Sequence, residues 1–125
     1  MLYRKDESPY MNSKPEISLL YDFYGELLQA SQQRVIELYV NDDLSLSETA
    51  QILGISRQGV RDSLTRAERK LAEYEAKLGL LKAYRARRER NDSIRDIIKR
   101  IKSTGDTAQA VSLLDDIEAL LKGDD

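Results

Sequence analysis

The sequence predicts an all-α protein organised around a helix-turn-helix. Apolar residues recur every three or four positions through most of the 125 residues, which is the spacing of amphipathic helices. Capping and turn residues between Ser45 and Arg66 predict two helices joined by a very short turn. Beyond them the apolar spacing continues past Leu81 and predicts a long helix and a C-terminal helical hairpin.

The composition argues against most enzymes and metal proteins. The chain has no cysteine and no histidine, which removes thiol nucleophiles, thiolate zinc sites and the commonest general base. Acidic pairs such as Asp115 and Asp116 have no companion nucleophile. We therefore expect no enzymatic activity, no catalytic residue, no metal and no cofactor. No apolar run approaches about 18 residues, so we expect a cytoplasmic protein that does not insert into membranes.

The net charge of −2 conceals a strong asymmetry along the chain. Residues 1–55 carry 4 basic and 9 acidic side chains, residues 56–102 carry 15 and 7, and residues 103–125 carry 1 and 6. The basic charge is thus concentrated just after the predicted turn. A polyanionic partner such as nucleic acid fits this distribution, because the local field decides the encounter.

The N-terminal part predicts two helices that support the motif. Residues 1–15 show no apolar period and are expected to form a disordered arm. An amphipathic helix is predicted from Glu16 to Leu28, and a shorter one ends at Asn41-Asp42-Asp43. Four aromatic residues lie at core spacing on these helices, so we interpret them as core rather than as a base-stacking platform. They are Tyr21, Phe23, Tyr24 and Tyr39.

The helix-turn-helix itself is predicted from its capping residues. Ser45 with Glu48 forms a capping box, and Gly54 can adopt the left-handed conformation that ends the first helix. Ser56 is a natural N-cap for the second helix. The predicted core of the motif consists of Leu46, Ala50, Leu53, Gly54, Ile55, Val60 and Leu64.

The second helix of the motif is predicted to continue far beyond an ordinary recognition helix. No strong breaker appears before Asn91, so the helix-turn-helix domain is expected to span residues 16–90. Apolar residues along it follow heptad spacing and need a partner surface. Either a second copy, giving a homodimer, or the C-terminal hairpin predicted over residues 91–122 would cover this seam. Its residues are Leu71, Tyr74, Leu78 and Leu81.

Polar and basic residues in the first turns of this helix are the candidate nucleic-acid contacts. Arginine can read guanine and glutamine can read adenine in the major groove. Arg57, Gln58 and Arg61 are expected nearest the bases, and later basic residues nearest the phosphates. We expect duplex DNA rather than RNA as the partner. The candidate set comprises Ser56, Arg57, Gln58, Arg61, Thr65, Arg66, Arg69 and Lys70.

About two-thirds of the chain resembles a known family. The combination of Ser56-Arg57-Gln58 with Tyr74-Glu75 and Lys77-Leu78, together with a first helix over Leu20–Leu28, is similar to the YlxM-like family. These are small bacterial helix-turn-helix proteins whose genes lie beside those of the signal recognition particle. That family is in turn similar to the region-four module of sigma-70 factors, which reads promoter DNA.

The resemblance implies a DNA-binding regulatory protein of transcription with a link to the signal recognition particle pathway. The alternatives are an accessory protein that binds the particle's RNA or its GTPase, and a helical interaction module without nucleic-acid binding. The chain departs from the family pattern on the recognition helix. Gly59 stands where alanine is usual, Arg61 where an aromatic residue is usual, and Thr65 where lysine is usual.

Overall fold

A computed structural model describes residues 13–123, and all regular structure in that range is helical. The all-α fold class is therefore confirmed. Two short turns interrupt the early helices, a 3-10 turn at Gly25–Leu27 and a π-helical turn at Glu37–Asn41. The six α-helices are α1 (Lys14–Tyr24), α2 (Ala30–Ile36), α3 (Leu46–Leu53), α4 (Arg57–Leu78), α5 (Leu80–Ser103) and α6 (Thr107–Lys122).

The first helix begins earlier than the sequence analysis expected. The predicted disordered arm covers residues 1–15, of which residues 1–12 lie outside the described range. Ser13 caps α1, because its hydroxyl accepts a hydrogen bond from the backbone N–H of Glu16 at 3.3 Å. Pro15 lies in the first turn, where its missing N–H costs nothing. The boundary at residue 15 is thus wrong by two residues.

The described residues divide into two compact units, with the boundary after Leu81. In the first unit α4 is central, since α1, α2 and α3 all pack against it. Tyr24 and Tyr39 are buried here, and Tyr21 and Phe23 are half-buried, so the core interpretation of the aromatic residues agrees with the structure. The most deeply buried side chains of this core are Ile17, Tyr24, Val35, Ile36, Thr49, Val60, Leu64 and Leu71.

The predicted uninterrupted helix from Ser56 to Arg90 is wrong. Gly79 adopts a left-handed conformation (φ 63°) and its N–H donates to the carbonyl of Glu75, which ends α4 at Leu78. A new helix, α5, begins at Leu80 and passes through Asn91 and Asp92 without a break. The helix that we expected to start at Asn91 or Asp92 therefore starts about eleven residues earlier. The boundary between the two units lies after Leu81 rather than at residue 90.

The predicted heptad seam is not a continuous free surface. Leu71 and Leu81 are buried in the folded chain, whereas Leu78 is 57% exposed. Tyr74 is half-buried, and its ring lies 6.0 Å from that of Tyr24 on α1. Because α1 packs along α4, the first helix covers much of the surface that we had assigned to a second copy or to the C-terminal helices.

The second unit consists of most of α5 together with α6. Three residues join these helices, and Asp106 caps α6 by accepting hydrogen bonds from the N–H groups of Ala108 and Gln109. A connection of three residues is compatible with the antiparallel hairpin that the sequence predicts. Each helix has one partly or fully shielded apolar stripe, Ile94, Ile97 and Ile101 on α5 and Ala110, Leu113, Ile117 and Leu120 on α6.

Candidate nucleic-acid interface

The turn between α3 and α4 has the capping pattern that the sequence predicts. The Ser45 hydroxyl accepts from the N–H of Glu48 at 3.0 Å, and the Glu48 carboxylate accepts from the N–H of Ser45 at 2.9 Å. These bonds hold the pKa of Glu48 below its usual value. Gly54 is left-handed (φ 69°), and the Ser56 hydroxyl accepts from the N–H of Gly59 at 2.9 Å. Three residues thus join two capped helices.

Two of the residues assigned to the core of the motif, Gly54 and Ile55, are exposed. Leu46, Ala50, Val60 and Leu64 are buried, and Leu53 is half-buried. Ile55 was assigned to the core, and this is wrong, since its side chain is 46% exposed. Its N–H completes the end of α3 by donating to the carbonyl of Ala50 at 3.1 Å. Its exposure shows that Ile55 does not fill the crossing of the two helices.

Ile55 lies instead over the first turn of α4. A Cβ atom added at Gly59 would lie 3.5 Å from Ile55 Cδ1 and 3.2 Å from the Ser56 hydroxyl. No backbone atom is among these neighbours, so a close backbone approach does not explain the glycine. Ile52, in the last turn of α3, is exposed as well. The sequence analysis assigned Ile55 to the core because its spacing also suits a buried position, and it made no prediction for Ile52.

The candidate contact residues of α4 fall on two adjacent stripes. Gln58, Arg61, Thr65 and Arg69 follow one another at spacings of three and four, on the side of the helix away from the buried residues Val60 and Leu64. The second stripe lies one position further around the helix and consists of Asp62, Arg66 and Lys70. Ser56 and Arg57 stand at the N-terminal end of the helix, where the backbone N–H groups point outward. All are exposed except the half-buried Arg61 and Thr65.

Two side-chain hydrogen bonds organise this face. Gln58 Nε2 donates to Asp62 Oδ1 at 2.9 Å, and the Thr65 hydroxyl donates to the carbonyl of Arg61 at 3.0 Å. Gln58 keeps a second N–H and its carbonyl oxygen for a base edge. Asp62 was not among the candidate residues, although its position four residues after Gln58 is a spacing at which side chains meet. It places a carboxylate within an otherwise basic surface.

A second basic surface lies in the C-terminal unit. Exposed arginines follow each other in the first half of α5, and Arg88 stands 5.8 Å from the ring centre of Tyr84. The Arg88 guanidinium also donates to the Tyr84 hydroxyl at 3.3 Å. The sequence analysis noted these charges but did not assign them a contact. The exposed basic residues of this surface are Lys82, Arg85, Arg87 and Arg88.

An acidic cleft of about 380 Å³ lies on the side of α1 and α2. Asp22, Glu26 and Glu37 contribute to its lining, which does not suit a phosphate. The Tyr21 hydroxyl donates to Glu37 at 2.7 Å, and burial together with this carboxylate raises the pKa of Tyr21 to about 12. Within residues 13–123, no group of three or more acidic side chains is arranged to hold a metal ion. No helix in that range has the length and apolarity to cross a membrane.

The chain matches a known protein family over most of its length. A family described as "Putative helix-turn-helix protein, YlxM / p13 like" matches residues 11–111. The chain belongs to this UPF0122 family. A UPF0122 protein of Caldanaerobacter subterraneus is 48% identical over 82 residues, which cover 66% of this chain and 70% of the relative. One from Geobacillus kaustophilus is 40% identical over 104 residues, covering 83% and 93%.

Membership in the UPF0122 family confirms the YlxM-like resemblance and the helix-turn-helix. A further relative, from Thermoanaerobacter sp., is 40% identical over 101 residues, or 81% of this chain and 86% of its own length. The family is described by its helix-turn-helix and not by an enzymatic activity. The matched range includes all of α3 and α4 and therefore both stripes of the candidate interface.

Proposed function

We propose that this UPF0122 protein is a DNA-binding regulatory protein of transcription that places α4 in the major groove. The observation that carries the proposal is the pair of polar stripes on α4, presented directly after a tightly capped turn. Arg57, Gln58 and Arg61 lie in the first two turns, where a recognition helix meets base edges. Arg66, Arg69 and Lys70 lie further along and face phosphates of the same groove.

The exposed isoleucines fit the same docking mode. Ile52 and Ile55 are exposed, and Ile55 lies over the first turn of α4, where an apolar side chain is suited to the methyl group of thymine. Gln58, held by Asp62, is suited to adenine. We therefore expect the preferred site to contain A·T pairs where the first turn of α4 enters the groove.

Selection from random duplexes, followed by a salt series, tests DNA binding. We expect an enriched sequence, with affinity that falls steeply as salt rises. Changing Arg57, Gln58 and Arg61 together to alanine should abolish the enrichment. Arg34→Ala on α2 is the matched control, because Arg34 is exposed in the same unit but lies away from α4's polar stripes. Absence of an enriched site together with a flat salt response contradicts the proposal.

A second candidate function is an accessory role in the signal recognition particle pathway. The basic surface on α5 supports it, because Arg85, Arg87 and Arg88 are exposed outside the helix-turn-helix and suit phosphates met through shape. Competition between duplex DNA and the particle's RNA separates the two functions. If the GTPase is instead the partner, a pull-down of that GTPase survives nuclease treatment.

A third candidate is a helical interaction module that keeps the helix-turn-helix only as a scaffold. The triple alanine variant of α4 distinguishes it, because such a module retains its protein partner after those changes. Sequencing of nucleic acid crosslinked to the protein in its own cells then separates promoter DNA from RNA in one measurement.

A further inference from the structure

A row of basic side chains runs along α5, on a different helix from the polar stripes of the helix-turn-helix. Ile94, Ile98 and Ile101 are each followed directly by a basic residue. A further basic residue, Arg88, lies seven positions before the first of these. The successive spacings of seven, four and three place all of them on one side of the helix. We call Arg88, Arg95, Lys99 and Lys102 the basic row.

The basic row is long and accessible. All four side chains are exposed, and from Arg88 to Lys102 the row extends for about 21 Å of helix. The Arg95 guanidinium lies 3.6 Å from the carboxylate of Asp92, and these side chains are 75% and 66% exposed. An ion pair so exposed to water contributes little, so an anion from outside the chain can take the place of Asp92.

The fold gains no stability from the spacing of these charges. Arg95 and Lys99 are four positions apart, and Lys99 and Lys102 are three apart. Like charges at such spacings repel each other and destabilise a helix. A bound polyanion removes this repulsion, so the row is better explained by a ligand than by folding.

The apolar side of α5 argues against a lipid surface as that ligand. A helix that lies on a membrane exposes a broad apolar face beside its basic residues. In α5, Ile94, Ile97 and Ile101 are half-buried, and Ile98 is 40% exposed. The basic row is turned by about 100° from the isoleucines that its members follow. Most of the apolar face is therefore shielded while the charges are exposed.

We propose that the basic row binds the phosphate backbone of duplex DNA without sequence preference. Arginine and lysine side chains donate hydrogen bonds and accept none, which suits phosphate oxygens and not the mixed donors and acceptors of a base sequence. The proposal rests on the proposed function, in which duplex DNA is already the partner of α4. There α4 selects the site, and α5 adds general affinity from the second compact unit.

A salt series on the full chain tests the basic row. Arg95→Gln combined with Lys99→Gln removes two of its charges. We expect the affinity for random duplexes to fall by about tenfold at about 0.1 M salt, because two phosphate contacts are lost. The slope of the logarithm of affinity against the logarithm of salt concentration should decrease by about 2. Both changes should be the same for a selected site, since the row does not read sequence.

Arg100→Gln combined with Lys122→Gln is the matched control. It makes the same change in net charge within the second unit, and both side chains are exposed. Arg100 lies about 140° around α5 from Arg95, and Lys122 lies in the last turn of α6. The control should keep the natural salt slope, and circular dichroism should show equal helix content in all three proteins. Equal losses of affinity in the two double variants, or none in the α5 variant, overturn the proposal.

Failure of the proposed function gives a different result. If α4 does not read DNA, no site is enriched, yet the charges of the basic row still determine the affinity for random duplexes. If only the basic row is wrongly assigned, α4 still selects a site and the α5 variant binds as the control does. Tighter binding to phosphatidylserine vesicles, or to the RNA duplex of the same sequence, contradicts duplex DNA as the ligand of this row.

Discussion

The Tyr24 hydroxyl on α1 donates a 2.6 Å hydrogen bond to Glu75 on α4, across 51 residues of sequence. The same hydroxyl accepts from the N–H of Leu80 at 3.0 Å, and the Glu75 carboxylate accepts from the N–H of Leu81 at 3.0 Å. Two side chains thus satisfy the first free N–H groups of α5. Burial of this cluster raises the pKa of Tyr24.

Removing this hydroxyl should weaken the fold. Tyr24→Phe leaves the Leu80 N–H without its acceptor and removes one of the donors to the Glu75 carboxylate, which keeps the Leu81 N–H. A buried polar group left unpaired costs about 1–3 kcal/mol. We expect the free energy of unfolding, measured with urea, to fall by that amount. Tyr84→Phe is the control, because it removes a hydroxyl from a more exposed site. Similar losses in both variants argue against a special role for Tyr24.

Alkaline titration should reveal Tyr21. Its folded pKa of about 12 exceeds the ordinary value of 10.0, so the folded chain holds this proton after the unfolded chain has lost it. The contribution of Tyr21 to stability is therefore complete below pH 10 and is lost as the pH rises toward 12. The absorbance of ionised tyrosine, followed as the pH rises, should show one fewer tyrosine with a raised pKa in Tyr21→Phe than in the natural protein. An unchanged absorbance curve in that variant contradicts the assignment.

Thr49→Val should stabilise the protein. Thr49 is completely buried on α3, and its hydroxyl has no hydrogen-bond partner within the described residues. Valine has nearly the same shape without the polar atom, so we expect a gain of about 1 kcal/mol in the free energy of unfolding. Thr107→Val, at an exposed position, should change stability little. A loss of stability in Thr49→Val indicates a buried water at this hydroxyl.

Asp62→Asn should change the balance between specific and general DNA binding. The substitution removes a negative charge from the polar stripes of α4, so affinity for random duplexes should rise several-fold. The preference for a selected site should fall, because Asp62 also holds Gln58. Asp22→Asn makes the same change in net charge at an exposed position on α1. If the affinity for random duplexes rises equally in both variants, the effect is due to net charge and not to the position of Asp62.

Loss of the first cap should destabilise the motif. Ser45→Ala removes the acceptor for the Glu48 N–H, and such changes cost about 0.5–2 kcal/mol. Because the folded pKa of Glu48 is lowered, its contribution is present above its ordinary pKa of 4.5 and is lost as the pH falls through the lower folded value. Urea unfolding at neutral and acidic pH should show the Ser45→Ala deficit shrinking in acid.

The sequence predicts the helix-turn-helix well, because its signals are local. Ser45 with Glu48, Gly54 and Ser56 each cap a helix through bonds to residues at most four positions away. The break at Gly79 was missed for the opposite reason. A lone glycine in a helical pattern is tolerated. Here the helix that starts after Gly79 is capped by Glu75 and by the distant Tyr24.

Among the candidate contact residues, too, some features follow from the sequence pattern and others do not. The helical period places Gln58, Arg61, Thr65 and Arg69 on one stripe, as the structure does. It does not reveal that the Thr65 hydroxyl is engaged by the carbonyl of Arg61, nor that Ile55 lies outside the crossing. The first depends on the side-chain rotamer of Thr65 within α4, and the second on the direction that the turn gives to the side chain of Ile55. Periodicity alone specifies neither.

Asp62 also has a kinetic consequence. A protein that slides along duplex DNA dwells on non-target sequence for a time set by its phosphate contacts. If α4 docks on DNA as proposed, a carboxylate among its arginines should shorten that dwell time, because it repels phosphates on sequences where no base contact compensates. We expect the protein to trade part of its overall affinity for a faster search among the many competing sites of a genome.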